Sequence, residues 1–315
     1  MRTPHVMTRV LVALLPGLGA MTYVWGIGIV YNVALLSIIC LATEAAAVFA
    51  KQALGNAPGE NTVKKWSGHL FDGSTLVTAW LIAICLPPFT NFGILSLAGL
   101  AAIGLAKHAY GGLGRNIFNP AMVGYAVILV SFPSHLALWP ASSDGGIDHL
   151  TGATILSDFR YRVGITTTEF TSLFAPNLQD QRLIAYSFLA GGLFLLVKKL
   201  LAWRIPVSML AGVGFAALFG YDQGSSMSSG SAVFHWTSGG FIAAAFFVAT
   251  DPVTHPRGAR PQIIFGFTVG LMTYLIRAYG TFPDGIAFAI LFANCLTPLM
   301  NRMATRHTTT PKPDA

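Results

Sequence analysis

The sequence predicts an all-α integral membrane protein with about ten transmembrane helices. Three observations predict this class: the composition, the length of the apolar runs and the distribution of the basic residues. Of the 315 residues, 54% are hydrophobic and 10% are charged, and the mean hydropathy is +0.62. Soluble domains have about 25% charged residues. This chain is therefore too poor in charge to cover a surface that faces water.

The apolar runs have the lengths of membrane spans. A helix needs ~20 apolar residues to cross the hydrocarbon layer. The run from Val10 to Ala50 is long enough for two crossings, so we expect a helical hairpin that turns around Gly26–Asn32. Eight further spans are expected at 70–87, 91–109, 116–132, 183–201, 206–220, 238–250, 262–280 and 284–300.

The basic residues indicate how these spans are oriented. If the N-terminus is cytoplasmic and the spans alternate, 15 of the 19 Lys and Arg residues fall in cytoplasmic segments. The positive-inside rule expects such a bias, and one span more or fewer would scramble it. We therefore interpret the net charge of +7 as a topology signal, with both termini cytoplasmic. It does not indicate nucleic-acid binding, and membrane lipid is the expected surrounding.

The two halves of the chain resemble each other weakly. The segments 108–111 and 277–280 share Ala-Tyr-Gly, and each closes one span; Pro87-Pro88 and Asp251-Pro252 end corresponding spans. Five spans separate equivalent points, so equivalent segments must run in opposite directions, as in an inverted repeat. The predicted organisation is a first five-helix repeat (1–132), an extracytoplasmic loop (133–182), a second repeat (183–303) and a cytoplasmic tail (304–315).

The extracytoplasmic loop contains the motif that carries chemistry. Residues 148–154 read D-H-L-T-G-A-T, which matches the acceptor pattern D-x-x-[S/T]-G-A-[S/T] for covalent flavinylation. In that reaction a flavin transferase esterifies the last hydroxyl, here Thr154, with the phosphate of FMN, because a threonine hydroxyl is a poor nucleophile by itself. Asp148, Thr151, Gly152 and Ala153 would form the rest of the acceptor motif. The alternative interpretation is an ordinary turn with a threonine-rich edge.

A second candidate ligand site lies on the cytoplasmic side, in the glycine-rich segment 111–121. Asn116 and Asn119 are three residues apart, so on a helix they would share one face and could hydrogen-bond a flat ligand. The alternative is a tight turn between helices, in which both asparagines bond backbone carbonyls.

Few ionisable residues fall at membrane depth. Glu44, within the second span, is the clearest, and an intramembrane carboxylate is a candidate for an ion pathway. We expect Glu44→Gln to lower ion-coupled turnover and to leave the flavin content intact. Asp72 and Asp284 each precede a glycine and open a span, so capping of a half-helix is an equally good interpretation for them.

The chain carries no complete redox centre of its own. Cys40, Cys85 and Cys295 each lie alone in an apolar stretch, which argues against iron–sulfur or zinc ligation. No dinucleotide fingerprint is present either. We therefore assign no catalytic residue and no metal ligand.

These motifs together resemble the NqrB/RnfD family. The residues that carry the resemblance are the flavinylation motif, G-G-L-G-R-N-I-F-N-P-A (111–121), A-T-D-P-V-T-H-P (249–256) and D-G-x-x-F-A (284–289). The short segment before the first span favours the RnfD branch. The resemblance implies a ten-helix inverted-repeat fold, FMN on Thr154 and a second, non-covalent flavin similar to riboflavin, which Asn116 and Asn119 would contact. It also implies membership of an Rnf-type ferredoxin:NAD oxidoreductase complex with other flavin and iron–sulfur subunits.

Three functions remain to be separated. The first is a flavin-bearing subunit that relays electrons between partner subunits and couples their flow to the movement of Na⁺ or H⁺. The second is an inverted-repeat channel or transporter with no redox role, and the third is an anchor that only holds other subunits. The acceptor motif favours the first, because a passive pore has no use for an esterified flavin.

Overall fold

The computed structural model describes residues 3–54, 72–112, 114–137, 139, 154–282 and 284–306, and these form helices joined by turns. The helices of the first half are α1 (Thr3–Trp25), α2 (Gly28–Leu54), α3 (Ser74–Ala83), α4 (Phe92–Gly99, continued as a π-helix over Leu100–His108), α5 (Pro120–Ser131) and α6 (Pro133–Leu136). Those that follow are α7 (Ile155–Arg160), α8 (Thr167–Leu173), α9 (Ala175–Val197), α10 (Arg204–Gly220), α11 (Ala232–Thr237), α12 (Phe241–Ala243, continued as a π-helix over Ala244–Val248), α13 (Ala259–Tyr279) and α14 (Ile286–Arg306).

A helix overlaps each predicted span, but the bounds differ. The hairpin turn falls at Gly26, inside the predicted range, and Gly26 has the positive φ of 82° that such a turn requires. Within the described residues, four helices are long and apolar enough to cross a membrane: Pro4–Trp25, Gly28–Ala50, Ala175–Val197 and Ala259–Tyr279. The described part of the chain is thus helical and contains helices that can span a membrane, whereas the count of ten spans stays a prediction. The third of these helices also begins eight residues before the predicted position 183.

Two of the short helices, α3 and α12, are interrupted inside the bundle. Backbone groups freed at such breaks need internal partners, since lipid offers none. Beyond α3, the buried amide of Asn32 donates to the carbonyl of Pro87 and accepts the N–H of Thr90. Beyond α12, the amide of Asn294 and the hydroxyl of Thr297 both donate to the carbonyl of Thr254. Buried amides and hydroxyls therefore stabilise both breaks.

The packing of the helices joins the two halves of the chain. In the first half, α2 packs on α3 and α4, and α4 packs on α5. In the second half, α10 packs on α13, and α13 packs on α14. The halves meet where α1 packs against α9 and α5 against α14, and one continuous apolar core runs through both. This core leaves an opening towards each end of the bundle.

Candidate functional site

Two cavities lie towards opposite ends of the helix bundle. The larger, which we call the Thr154 cavity, has a volume of about 480 Å³ and is lined by the end of α1, by α5, by the middle of α9 and by the starts of α12 and α14. The smaller, which we call the Asn116 cavity, has a volume of about 110 Å³ and includes the start of α1, the start of α3 and the segment after α12. Helices α3 and α12 run from one cavity to the other.

Thr154 lies on the wall of the larger cavity. It is half-buried and is the N-cap of α7, where its Oγ1 accepts the backbone N–H of Ser157 at 3.2 Å. The hydroxyls of the two residues are 3.0 Å apart. In the first turn of α7, burial raises the pKa of the Asp158 carboxyl above its ordinary value. Of the predicted acceptor motif, Thr154 is described, whereas Asp148, Thr151, Gly152 and Ala153 lie outside the described residues.

The Thr154 cavity combines apolar walls with a few polar groups, as ligand sites usually do. The indole rings of Trp25 and Trp139 have centroids 4.5 Å apart on one side. The side chains of Tyr125, Gln181 and Asp284 also line the cavity. Its volume falls within the roughly 300–1,000 Å³ that is typical of sites for small ligands and cofactors. The described residues therefore fit a flat aromatic group held from Thr154.

Asp284 caps a helix at the edge of this cavity, as predicted. Its Oδ1 accepts the N–H of Ile286 at 3.2 Å, and its carboxylate forms an ion pair with Arg277 at 3.3 Å. The Arg277 side chain, 3% exposed, also donates to the carbonyls of His235 and Ser238. Arg277 begins the segment 277–280, which we predicted at the end of a span, and in the structure it is a buried crosslink beside the cavity.

Asn116 and Asn119 both line the smaller cavity, but they do not share a helical face. Helix α5 begins only at Pro120, because Asn119 is its N-cap and accepts the N–H of Met122. The prediction of a shared face is therefore wrong. The side-chain amide of Asn119 donates to the carbonyl of Val248, and that of Asn116 donates to the carbonyl of Phe118. These are the backbone bonds of the alternative interpretation, yet Oδ1 of Asn116 is buried with no hydrogen-bond partner.

Glu44 is buried, as predicted, but it is not alone. Its Oε2 accepts hydrogen bonds from Lys107 Nζ at 2.7 Å and from Thr75 Oγ1 at 2.6 Å. Its Oε1 lies 3.1 Å from Nε2 of His108. Lys107 is 2% exposed and donates further to Ser74 Oγ and Thr75 Oγ1, both at 3.0 Å. A buried ion pair of this kind is stable only when its remaining donors and acceptors are also satisfied.

Sequence reasoning missed Lys107 as a member of this cluster. We counted it as a cytoplasmic charge, because it follows a long apolar run at the expected end of a span. The signal that could have found it is its position within the helix, before His108 and before the glycine-rich turn. Capping was one of two interpretations of Asp72, but the N-cap of α3 is Gly73. The Oδ1 of Asp72 accepts the N–H and the hydroxyl of Ser74, both at 2.7 Å, so it bonds the first residue of α3 from one position before the cap.

Comparisons with known proteins identify the family of this chain. Residues 1–310 match the model of the NQR2, RnfD, RnfE family. The chain is 38% identical to the D subunit of the ion-translocating oxidoreductase complex of Ectopseudomonas mendocina, over 95% of this chain and 90% of that protein. It is 39% identical to the protein of the same name from Pseudomonas aeruginosa strain UCBPP-PA14, with the same coverage. It is 37% identical to the one from Cellvibrio japonicus, over 98% of this chain and 91% of that protein. The chain belongs to the NQR2, RnfD, RnfE family.

Proposed function

We propose that this protein is the flavin-bearing membrane subunit of an Rnf-type ion-translocating oxidoreductase complex. In this role it relays electrons between partner subunits through FMN esterified to Thr154, and it couples their flow to the movement of Na⁺ or H⁺. The observation that carries the proposal is the position of Thr154 on the wall of a cavity of about 480 Å³. The relatives are named as the D subunit of an ion-translocating oxidoreductase complex, which supports the assignment to a complex. Other flavin and iron–sulfur subunits would supply and accept the electrons.

The residues around Thr154 suit a tethered flavin. FMN supplies the one-electron chemistry when it is bound, and the protein binds and orients the ring. Trp25 and Trp139 offer aromatic surface to the ring, while Gln181 and Tyr125 offer hydrogen-bonding groups to its polar edge. Because Asp284 is paired with Arg277, it contributes little net negative charge to the cavity. A flavin transferase must reach Thr154 during maturation, which agrees with the half-buried position of this residue.

A second, non-covalent flavin similar to riboflavin would occupy the Asn116 cavity. The unpartnered Oδ1 of Asn116 supports this, since a buried acceptor without a donor is costly and an N–H of a ligand would satisfy it. The cavity volume of about 110 Å³ is below that of most ligand sites. Binding of a flavin ring there therefore requires the surrounding side chains to move.

The topology that we propose has ten spans in two inverted repeats. Support comes from the matching packing of α2 with α4 and of α10 with α13, and from the breaks after α3 and α12. The start of α1 lines the Asn116 cavity and the start of α14 lines the Thr154 cavity, so the start of α1 and the end of α14 lie towards the same side. We place that side in the bacterial cytoplasm and Thr154 on the extracytoplasmic side.

In-gel flavin fluorescence tests the central proposal. The purified chain is denatured, after production in a host with the flavin transferase, and compared with Thr154→Ala and Ser157→Ala. We expect fluorescence in the wild type and in Ser157→Ala but none in Thr154→Ala. Ser157 is the matched control, because its hydroxyl lies 3.0 Å from that of Thr154. A dark wild-type band, with transferase activity confirmed on another acceptor, would refute covalent flavinylation and favour the channel or transporter.

A further inference from the structure

The ammonium group of Lys107 lies in a cage of three side-chain oxygens. Its nitrogen is 2.7 Å from Glu44 Oε2 and 3.0 Å from both Ser74 Oγ and Thr75 Oγ1. All three N–H donors of the ammonium are therefore used, and each of the four residues is buried. A carboxylate and two hydroxyl oxygens around one positive charge are also the kind of ligand set that hard cations take in proteins.

The same lysine faces a second set of acceptors. Lys107 and Ser74 both line the Asn116 cavity, together with Asn116 and Asp251. The carboxylate of Asp251 and the unpartnered Oδ1 of Asn116 are alternative acceptors for an ammonium group on a flexible four-carbon stem. The displaced ammonium of Lys107 could therefore be accommodated in the Asn116 cavity, and an incoming ion could reach the cage through the same cavity.

We propose that this cage, formed by Glu44, Ser74 and Thr75, is an exchangeable site for a monovalent cation of the size of Na⁺. In the structure Lys107 fills the site with its own charge. If the ammonium moved into the cavity, the buried Glu44 would lose the charge of Lys107 and keep the His108 imidazole, 3.1 Å from its Oε1. Removal of one partner of a buried ion pair is strongly unfavourable. If a cation entered while Lys107 stayed, two positive charges would share one carboxylate. The exchange is therefore one for one: the cation pairs with Glu44 as Lys107 pairs with Asp251.

This exchange goes beyond the proposed function and does not depend on it. One consequence of the exchange does rest on the proposed function. A cofactor in the Asn116 cavity that gains negative charge on reduction would attract Lys107, and this would favour cation binding at Glu44. The cage itself requires only the described side chains, so it can be tested on a chain with or without flavin.

The experiment measures thermal unfolding of the full-length chain in lipid nanodiscs. NaCl replaces choline chloride at constant ionic strength, at an alkaline pH that keeps carboxylates ionised. The variants are Lys107→Met, which vacates the cage, and Lys107→Met/Glu44→Gln, which also removes the charged ligand. Lys198→Met is the matched control, since it removes one exposed lysine outside the cluster.

We expect Na⁺ to raise the Tm of Lys107→Met saturably, by roughly 5 °C or more at high excess over Kd. The wild type and Lys198→Met should respond weakly, because Lys107 still competes for the cage in both. The double variant should not respond. Failure of Na⁺ to stabilise Lys107→Met, or equal stabilisation of the double variant, would overturn the proposal. Stabilisation of Lys107→Met by lowered pH alone, with no effect of Na⁺, would also overturn the proposal. In that case a proton, and not a cation, would neutralise the carboxylate of Glu44.

If Lys107→Met does not fold, Lys107→Gln takes its place, because its amide can still bond Ser74 and Thr75.

A wild-type measurement adds an independent check. Modification of Glu44 by a hydrophobic carbodiimide, followed by peptide mass spectrometry, should be slowed by Na⁺ and not by choline if the cation reaches the cage. Labelling that Na⁺ leaves unchanged would count against exchange. Because neither readout uses flavin, loss of the flavin assignment would leave both interpretable.

Discussion

Asn116 and Asn119 are separated by two residues but have different structural roles. Asn119 caps α5 and bonds the carbonyl of Val248, so it ties α5 to α12. Asn116 makes one local bond to Phe118 and leaves Oδ1 without a partner. A ligand in the Asn116 cavity would therefore depend on Asn116 for recognition and on Asn119 for the shape of the wall.

This difference predicts distinct phenotypes for the two asparagines. Asn116→Leu should lower the content of non-covalent flavin and leave the thermal stability nearly unchanged. Asn119→Ala should destabilise the chain by about 0.5–2 kcal/mol, because a helix cap is lost. The measurements are the flavin released by denaturation and the Tm of each variant. Equal flavin content in Asn116→Leu and the wild type would exclude Asn116 as a flavin contact.

The buried ion pair between Glu44 and Lys107 makes a second prediction at the residue scale. Glu44→Gln leaves a buried ammonium without its carboxylate, so we expect a loss of roughly 3–5 kcal/mol. It should also lower ion-coupled turnover while covalent FMN on the distant Thr154 is retained. Glu44→Gln/Lys107→Met removes both charges and should recover most of the stability. A double variant no more stable than Glu44→Gln would mean that the two charges are not a pair, and unchanged ion movement would remove Glu44 from the pathway.

The sequence could identify single residues only where a local pattern marks them. Thr154 ends a seven-residue motif, and Asp72 and Asp284 are each followed by glycine at the start of a span, for which capping was one of two interpretations. Lys107 could not be found in this way, because its partner Glu44 is 63 residues away in the chain. Burial of a lysine depends on which helices pack together, and hydropathy does not contain that information.

At the scale of elements, small residues decide which helices pack closely. The pair α10 and α13 meets through Gly212, Gly266 and Gly270, where an added Cβ would overlap backbone or side-chain atoms of the opposite helix. Small residues of this kind let membrane helices approach each other. On α9, Gly191 faces the carbonyl of Ala13 on α1 in the same way, so the contact between the two halves also depends on a glycine.

Gly270→Ala tests this packing, with Gly19→Ala as its matched control. The new methyl group at Gly270 would overlap the carbonyl oxygen of Met209, so we expect a loss of about 1–3 kcal/mol. At Gly19 nothing lies within 4 Å of an added Cβ, so the better helix propensity of alanine should leave stability equal or slightly higher. Thermal unfolding of both variants gives the comparison. Equal Tm values would show that α10 and α13 have room between them.

The sequence located the helices well and their ends less well. Helix α10 begins two residues before the predicted span and ends with it at Gly220, since an apolar run is bounded by polar residues there. The breaks after α3 and α12 were foreseen from Pro87 and Pro252, since proline cannot donate a backbone hydrogen bond. The π-helical turns at the ends of α4 and α12 were not foreseen, because no residue pattern in this sequence marks them.

At the scale of the whole molecule, the two cavities are joined by the two interrupted helices. Ser74 lines the Asn116 cavity and Ile84 lines the Thr154 cavity. Leu81, three residues before Ile84, also lines the Asn116 cavity, so at 1.5 Å per residue the two linings come within about 5 Å of each other along the helix. Helix α12 runs the opposite way, with Ala243 at the Thr154 cavity and Thr250 at the other. Two antiparallel half-helices thus lie between one opening of the size of a cofactor site and one smaller opening, and the proposed pair of flavins would need the smaller one to widen.

This arrangement works as proposed only if the two cavities open to opposite sides of the membrane. The charge bias of the sequence puts the side with Lys198 in the cytoplasm, and the loop with Val163 outside. Both residues are exposed, Val163 at 90%, so each can carry a cysteine probe on a background that lacks Cys40, Cys85 and Cys295.

A membrane-impermeant thiol reagent distinguishes the possible topologies. In intact spheroplasts we expect Val163→Cys to be labelled and Lys198→Cys to be labelled only after the membrane is opened. Labelling of both after opening is the control for accessibility, and the cysteine-free parent is the control for specificity. The reverse pattern would put Thr154 in the cytoplasm, where the tether would face the wrong compartment, and the Asn116 cavity would then open outside. Labelling of both sites in intact spheroplasts would mean that both lie on the same side of the membrane, with an even number of spans between them. That result would contradict the proposed inverted repeat.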